Sequence, residues 1–422
     1  MFKFDENVYE SNLPIRYVFE EGIQNTDYLV VVFSGFNPPN AKLANSYNYI
    51  RTLRNLDCNK LFILDNYGPR GSYYLGNKED FQVESAIASL ISHFSMKYGI
   101  KQRNVITAGS SKGGSAALYY GLKYHYGHII AGAPQTKIAD YIQKNTKETY
   151  EYMLGGNPGE ENVRELNEII FKQIHINTLT KIYLLTSEND IQYKRHIVPF
   201  VNNMDNYGVR YQLEVNNQIE NHNEIAVHFP MYLMKNMSNI MYGVNISKLE
   251  FKKETATRWK LNVDYVVDDN KEVLVKIVVK KKNELISEIP VKAETYFDVK
   301  NLKLIGSMVL DIFFVIEIDG QAIFNLPMDN LFISNGTVLE GVEFSIKEDK
   351  IYFKINIEDS PSTQYAYYIR KNNVVIDKLM YQNSRELIYP LKDIGKYQVH
   401  YFIRTGDGEK FSDRTKVIRY DN

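Results

Sequence analysis

Cysteine is nearly absent from this chain. Cys58 stands alone among 422 residues, so no intramolecular disulfide and no thiolate metal cluster can form. Net charge is nearly absent too: 50 Lys and Arg oppose 51 Asp and Glu, a formal charge of −1. That balance argues against a basic nucleic-acid footprint or a polybasic membrane surface. Long apolar runs are missing. The longest, MVLDIFFVI, is interrupted by Asp311 and is too short to span a bilayer. The first ten residues, MFKFDENVYE, carry acids where a secretory signal needs an apolar stretch. These absences lead us to expect a cytoplasmic protein with no membrane insertion, no nucleic-acid partner and no metal.

Aromatic residues are plentiful. The 33 tyrosines and 21 phenylalanines fit β-rich structure or carbohydrate-facing surface. A chain of this length exceeds one ordinary core, so two or three domains are expected. The chain has two textures. Up to about Gly243, short apolar strands alternate with helical segments. IRYVFEE, YLVVVFSG, KLFILD, NVITAG, HIIAGAP, KIYLLTSE and YQLEVNN read as strands of a mostly parallel sheet with helices on both faces, an α/β domain over residues 1–244. EDFQVESAIASLISHFSMKYG and SAALYYGLKYHYG read as helices. Residues 136–180 are longer than a crossover needs and read as a lid-like helical insertion. Beyond about Asn245, alternating strands follow one another through short polar turns, as in KLNVDYVV-DDNK-EVLVKIVV-KKKN-ELISEI. This pattern predicts two antiparallel β-sandwich, Ig-like modules over 245–335 and 336–422. The Lys280–Lys282 run reads as a solvated hairpin tip. Sequons at Asn236, Asn245 and Asn335 are taken as incidental.

The stretch NVITAGSSKGGSAALYYG carries the chemistry. Gly109-Ser110-Ser111-Lys112-Gly113 matches G-x-S-x-G between a strand and a helix, where that motif belongs. A nucleophile on such an elbow has a strained backbone, and its neighbours two residues away must be nearly free of side chain. The register selects Ser111 as nucleophile and points the Lys112 N–H at a developing oxyanion. A plain glycine turn or an anion-cradling helix start is the alternative. A P-loop needs a different lysine spacing, and a dinucleotide fingerprint needs G-x-G-x-x-G; neither is present.

Partners should follow in the order Ser, acid, His, and they do. KIYLLTSEND runs from a strand into a turn ending at Asp190. QIENHNEIAVHFPMYL places His222 just before an amphipathic helix. Both sit at carboxyl ends of strands, the edge where open α/β sheets place sites. His222 is the expected base and Asp190 its orienting acid. Glu188 and His228 are the runners-up. The other histidines, His93, His125, His128, His175, His196 and His400, have no comparable setting. VVVFSGFNPPN follows an early strand and supplies the second oxyanion donor, the Phe36 N–H hinged at Gly35; a simple turn before Pro38-Pro39 reads the same way. In KLFILDNYGPRGSYYLG, Arg70, Tyr73 and Tyr74 are candidates to line a pocket for a polar, ring-shaped ligand, with a solvated loop as the alternative.

GSSKGGSAALYYG, the FSGF loop and DNYGPRGSYYLG together resemble α/β-hydrolase-like proteins of bacterial surface-glycan pathways: the XcbB/CpsF type of capsular-polysaccharide biosynthesis protein and the acetyltransferase-like component of the accessory Sec system. The resemblance covers roughly the first 240 residues and leaves the β-rich tail unmatched. It implies a Ser-Asp-His site on Ser111, Asp190 and His222, a glycan or glycan-precursor acceptor, an acetyl-type group, and other surface-polysaccharide biosynthesis proteins as possible partners. No bound cofactor is expected; the acyl donor, acetyl-CoA or an acetylated carrier, stays open. An O-acetyltransferase and a carbohydrate esterase need the same residues and differ in whether sugar or water resolves acyl-Ser111. A non-catalytic scaffold on a hydrolase fold is the competing class. A glycosyltransferase would need a nucleotide-sugar site, and the chain has no D-x-D and no fitting glycine loop.

Overall fold

The structure, a computed structural model, describes residues 5–23, 25–37, 43, 45–77, 82–267, 272–334, 336–357 and 361–421. The chain divides into two compact units, Met1–Gly243 and Val244–Asn422.

The first unit is built on one eight-stranded sheet. Its strands are β1 (Glu6–Tyr9), β2 (Ile15–Glu20), β3 (Leu29–Phe33), β4 (Asn59–Ile63), β5 (Val105–Ser110), β6 (His128–Gly132), β7 (Lys181–Thr186) and β8 (Tyr211–Val215). They lie side by side in the order β1-β2-β4-β3-β5-β6-β7-β8. The β1–β2 and β2–β4 pairs are antiparallel, and the rest of the sheet is parallel. This is an α/β-hydrolase-like sheet, as expected. The central strands LVVVF and VITAGS are buried on both faces, which is why they read as continuous apolar or small-residue runs rather than as alternation. The strand β1 was not foreseen: its sequence, ENVY, is short and mostly exposed, with no apolar run to flag it.

The helices are α1 (Ile50–Leu53), α2 (Gln82–Lys97), α3 (Lys112–Lys123), α4 (Ile138–Asn145), α5 (Lys147–Leu154), α6 (Glu160–Glu168), α7 (Val198–Asn206) and α8 (Ile225–Tyr242). In α2, Val83, Ala86, Ile87, Leu90, Ile91 and Phe94 recur at helical spacing and are buried. They join Val31, Phe33, Leu61, Ile129 and the apolar side of α3 in one core. Each of the larger side chains contributes roughly 1.5–3 kcal/mol by leaving water. The opposite face of the sheet receives α8: a Cβ on Gly132 would lie 2.5 Å from the Phe229 ring. Residues 138–168 form the three helices α4, α5 and α6 of the insertion between β6 and β7. Gly243, at φ 68°, ends α8 in the left-handed conformation that stops a helix.

The second unit is antiparallel throughout. Strands Val244–Lys253, Arg258–Val267 and Glu294–Asp298 make a three-stranded sheet; the other five strands between Val273 and Val338 make a second sheet. A second three-plus-five set follows from Gly341. Thr337–Val338 still pair with Ile333–Ser334, so the first sheet pair runs slightly past residue 335. In the KKKN segment Lys280 and Lys281 belong to a strand, and Lys282 and Asn283 form the turn at φ 47° and 74°. Pro38, Pro39 and Asn335 lie outside the described residues.

Candidate active site

The β5–α3 junction is as tight as the motif requires. Ser111 has φ 54° and ψ −123°, a conformation that costs an ordinary residue of order 1–3 kcal/mol. A Cβ on Gly113 would fall 2.2 Å from the Phe33 carbonyl oxygen, and one on Gly109 would fall 2.5 Å from the Gly113 carbonyl. The two flanking glycines therefore let the helix start press against two strands, and Ser111 is left displayed at the sheet edge.

The structure brings the three sequence-selected residues together. Ser111 Oγ lies 2.9 Å from His222 Nε2, and His222 Nδ1 lies 2.7 Å from Asp190 Oδ2. With the hydroxyl donating to Nε2, Nδ1–H donates to the carboxylate, which fixes the tautomer. Asp190 is 1% exposed, and its other oxygen accepts the Gln192 N–H at 2.9 Å. Glu188 is exposed beyond the end of β7, while His228 sits within α8 and Asp190 is the acid that meets His222. His222 itself lies in a single 3-10 turn, His222–Glu224, leading into α8.

The Lys112 amide opens α3, where the first N–H groups have no intrahelical acceptor. Gly35 lies against the same spot: a Cβ there would be 3.3 Å from Ser110 O and 3.9 Å from Ser111 Cβ. Asn48 holds this loop by accepting the Gly35 N–H at 2.8 Å. Phe36 follows, with the Lys112 ammonium 5.1 Å and the Arg70 guanidinium 5.4 Å from its ring centre. Arg70 also donates to the Asn37 carbonyl at 2.6 Å and stays half-buried.

Tyr73 and Tyr74 correct the expectation of a ligand-lining pair. Both are buried in the core, at 1% and 0% exposure. The Tyr74 hydroxyl accepts the Ser34 N–H at 2.6 Å, and its ring packs edge-on against Phe33. Burial lifts both phenol pKa values well above the usual range. Each has positive φ, 56° and 63°, and the turn folds them inward.

Three participants escaped the sequence reading. Gln135 Nε2 donates to Ser111 Oγ at 2.6 Å, and the Tyr73 hydroxyl donates to Gln135 Oε1 at 2.8 Å. The Tyr49 hydroxyl is 2.5 Å from Ser110 Oγ, its pKa pushed up to about 12 by burial. Asp65 pairs with the Lys112 ammonium at 2.6 Å, both side chains 1% exposed, and accepts the Ser72 N–H at 2.9 Å. Burial lowers the Lys112 pKa, with Asp65 opposing. A polar residue two or three positions past a buried strand, as in HIIAGAPQ and KLFILD, was the available signal for Gln135 and Asp65.

A cavity of about 840 Å³ opens among the insertion helices and α7, lined by Lys137, Asp140, Arg164, Asn167, Phe171 and Tyr207. The triad does not line it. Among the described residues no cluster of His, Cys, Asp and Glu is suited to hold a metal, and no helix is long and apolar enough to cross a membrane.

Residues 17–150 match the family model of the accessory Sec system GspB-transporter. That segment contains Phe36, Arg70, Ser111 and Gln135 but neither Asp190 nor His222. No curated protein matches the chain. A capsule O-acetyltransferase of Neisseria meningitidis serogroup A is similar at 28% identity over 55% of this chain and 94% of that one, with a TM-score of 0.49. A glycosylation-associated protein complex from Streptococcus agalactiae is similar at 18% identity, over 56% of this chain and 47% of that one, TM-score 0.45. An acetyl ester-xyloside bifunctional hydrolase from Caldicellulosiruptor lactoaceticus is similar at 15% identity, over 55% and 89%, TM-score 0.42. The likeness to the accessory Sec family therefore lies in residues 17–150, the segment that runs from β2 past β6 and includes the Ser111 elbow.

Proposed function

We propose that this protein is a serine-dependent acyl-transferring enzyme of bacterial surface-glycan metabolism, an O-acetyltransferase that works through acyl-Ser111. The observation that carries the reading is the line from Ser111 Oγ to His222 Nε2 to Asp190 at 2.9 and 2.7 Å, on a strained elbow. His222 takes the Ser111 proton as Oγ attacks the donor carbonyl, then delivers it to the departing group of the donor. A sugar hydroxyl next gives its proton to His222 and attacks the acyl carbon. The Oγ–carbon bond breaks, and Ser111 recovers the proton. The amides of Lys112 and Phe36 receive the oxyanion in both steps, each such donor being worth about 10²–10³ in rate. Gln135 holds Oγ from the other side, so the serine proton is directed to His222. This chemistry calls for no bound cofactor or metal. The glycan acceptor and the acetyl group come from the sequence resemblance, and the cytoplasm is the compartment that suits transfer during biosynthesis.

Hydrolysis is the second reading, and one observation favours it. The His222 side chain is 23% exposed, so water reaches the base.

Intact mass after a fluorophosphonate probe and, separately, p-nitrophenyl acetate tests the reading. One adduct, lost in Ser111→Ala, is expected. No adduct in the native chain points to a binding scaffold; an adduct that persists in Ser111→Ala moves the nucleophile elsewhere. Turnover of p-nitrophenyl acetate with added sugar separates the two activities: acetylated sugar marks a transferase, and acetate alone marks an esterase.

A further inference from the structure

The outer face of the last five-stranded sheet has an unusual composition. On it, Tyr368 lies in register with His400 on one side and Lys378 on the other. His400 is in register with Arg414, Phe402 with Ser412, and Arg404 with Gln364 and Lys410. Rings cover the middle: Tyr368 and Phe402 have centroids 4.8 Å apart, and His400 and Phe402 4.2 Å. Lys378 Nζ stands 5.2 Å from the Tyr368 centroid, and the Arg404 guanidinium lies 4.2 Å from that of Tyr381. The four rings are half-buried, and Lys378, Lys410, Ser412 and Arg414 are exposed.

The charge on this face is of one sign. Arg370, Lys378, Arg404, Lys410 and Arg414 contribute five cations. The two acids on these strands, Asp377 and Asp413, are in register with the buried Ile369 and Tyr401 and so alternate to the other side. Among the described residues the ion pairs of this region use Lys354, Lys371 and Arg419, not these five. The cations are close enough to be felt: burial first, then Arg414 and Arg370, lower the His400 pKa, and Asp413 from the other side of the strand opposes them without reversing the shift. Like-signed cations gathered around flat, half-exposed rings give this face a positive potential and an apolar surface side by side, a combination complementary to an anionic ligand with apolar faces.

We infer that this face binds an anionic glycan. The rings offer stacking surface to the apolar faces of pyranoses. Arg414 presents a forked donor to carboxylate or phosphate groups, Arg404 keeps further N–H groups beside the one it gives to Gln364, and Ser412 suits hydroxyls. Aromatic and cationic side chains together also suit single-stranded nucleic acid. A sugar polymer is favoured because the acyl acceptor proposed for Ser111 is a sugar, and the inference rests on that reading for its ligand class. A sheet face that retains the polymer would raise the local concentration of acceptor hydroxyls.

The full chain is titrated by calorimetry with oligogalacturonate, phosphorylated dextran, plain dextran and a 20-nucleotide oligo-dT. Binding to oligogalacturonate, to phosphorylated dextran or to both, in preference to plain dextran, is expected, and the pair of probes tells carboxylate from phosphate. Tyr368→Ala and the exposed double variant Lys410→Glu/Arg414→Glu should each weaken it at least tenfold, the double variant without lowering the melting temperature. Binding that neither variant changes, no binding to either charged glycan, or binding to oligo-dT alone overturns the inference. Ser111→Ala should bind as the native chain does, and Lys410→Glu/Arg414→Glu should take the fluorophosphonate adduct normally, so failure here and failure of the acyl-transfer reading are separate results.

Discussion

Replacing Lys112 by methionine removes one half of a buried ion pair and leaves Asp65 behind. In the native protein the two groups meet at 2.6 Å, each 1% exposed, and water cannot enter to take the place of the ammonium. Gly71 closes the pocket so tightly that a Cβ there would be 2.5 Å from Asp65 Oδ2 and 2.6 Å from Lys112 Nζ. Breaking such a pair from one side costs about 3–5 kcal/mol, because the stranded charge has lost its partner. For a unit of this size that corresponds to a melting temperature lower by about 6–20 °C. Asp65 also holds the Ser72 and Tyr74 amides, and the Lys112 ammonium lies on the Phe36 ring. Both proposed oxyanion donors therefore sit on residues that this pair anchors, and fluorophosphonate labelling of Ser111 should slow by about tenfold or more, as expected when an oxyanion donor is displaced. The control is Glu151→Ala, which breaks the exposed Lys147–Glu151 pair at 3.6 Å and should change stability by less than about 0.5 kcal/mol. Thermal melts and labelling rates of the two variants decide the matter. A Lys112→Met protein that melts within about 3 °C of the native one would refute the argument from burial.

Other consequences are as direct. Gln135→Ala should slow acylation of Ser111 by about tenfold, the worth of one hydrogen bond to a reacting group, and Tyr73→Phe should do less, since it only releases the amide that Gln135 presents; stopped-flow bursts with p-nitrophenyl acetate measure both, and an unchanged burst in Gln135→Ala counts against the role. Gly113→Ala should abolish labelling, because its Cβ would overlap the Phe33 carbonyl at 2.2 Å and force the elbow open; a variant that labels at the native rate contradicts the geometry. Burial lowers the His196 pKa to about 4, against 6.5 for the free ring. The neutral ring is the one the fold accepts, so its contribution is complete above pH 6.5 and is lost as pH falls through 4, a decrease of about 3 kcal/mol at most. His196→Asn keeps an acceptor near the Lys137 N–H that His196 Nδ1 now binds at 3.1 Å, and should flatten the urea-stability profile over that window; an unchanged slope assigns the acid sensitivity elsewhere.

The parts of this protein that could be read from the chain share a physical property: each is set by neighbours in sequence. Glycines two residues to either side of Ser111 are a local steric demand, so the elbow shows in a pentapeptide. The central strands show as apolar runs because burial on both faces leaves few polar positions to interrupt them. Asp190 and His222 were found through the order of strand ends, a topological rule that works because parallel strands present their carboxyl ends along one edge. The hairpin turns of the second unit show as short polar breaks for the same local reason.

What the linear order left undetermined depends on contacts between distant segments. Tyr73 and Tyr74 looked like ligand contacts because they lie in a strand-end loop and tyrosine rings stack on sugars; positive φ at both residues and the close-packed floor around Phe33 turned them inward. Gln135 reaches Ser111 only because β5 and β6 are neighbours, 24 residues apart in the chain. The sequence reading used Lys112 only through its amide, and only the fold brings Asp65, 47 residues earlier, within 2.6 Å of its ammonium inside the core. The chain's own chemistry set the strained turn that displays Ser111, since local sterics travel with the sequence. Which charges are buried, which hydroxyls are tied down and which cations share one sheet face are properties of packing, and they exist only once remote strands have met.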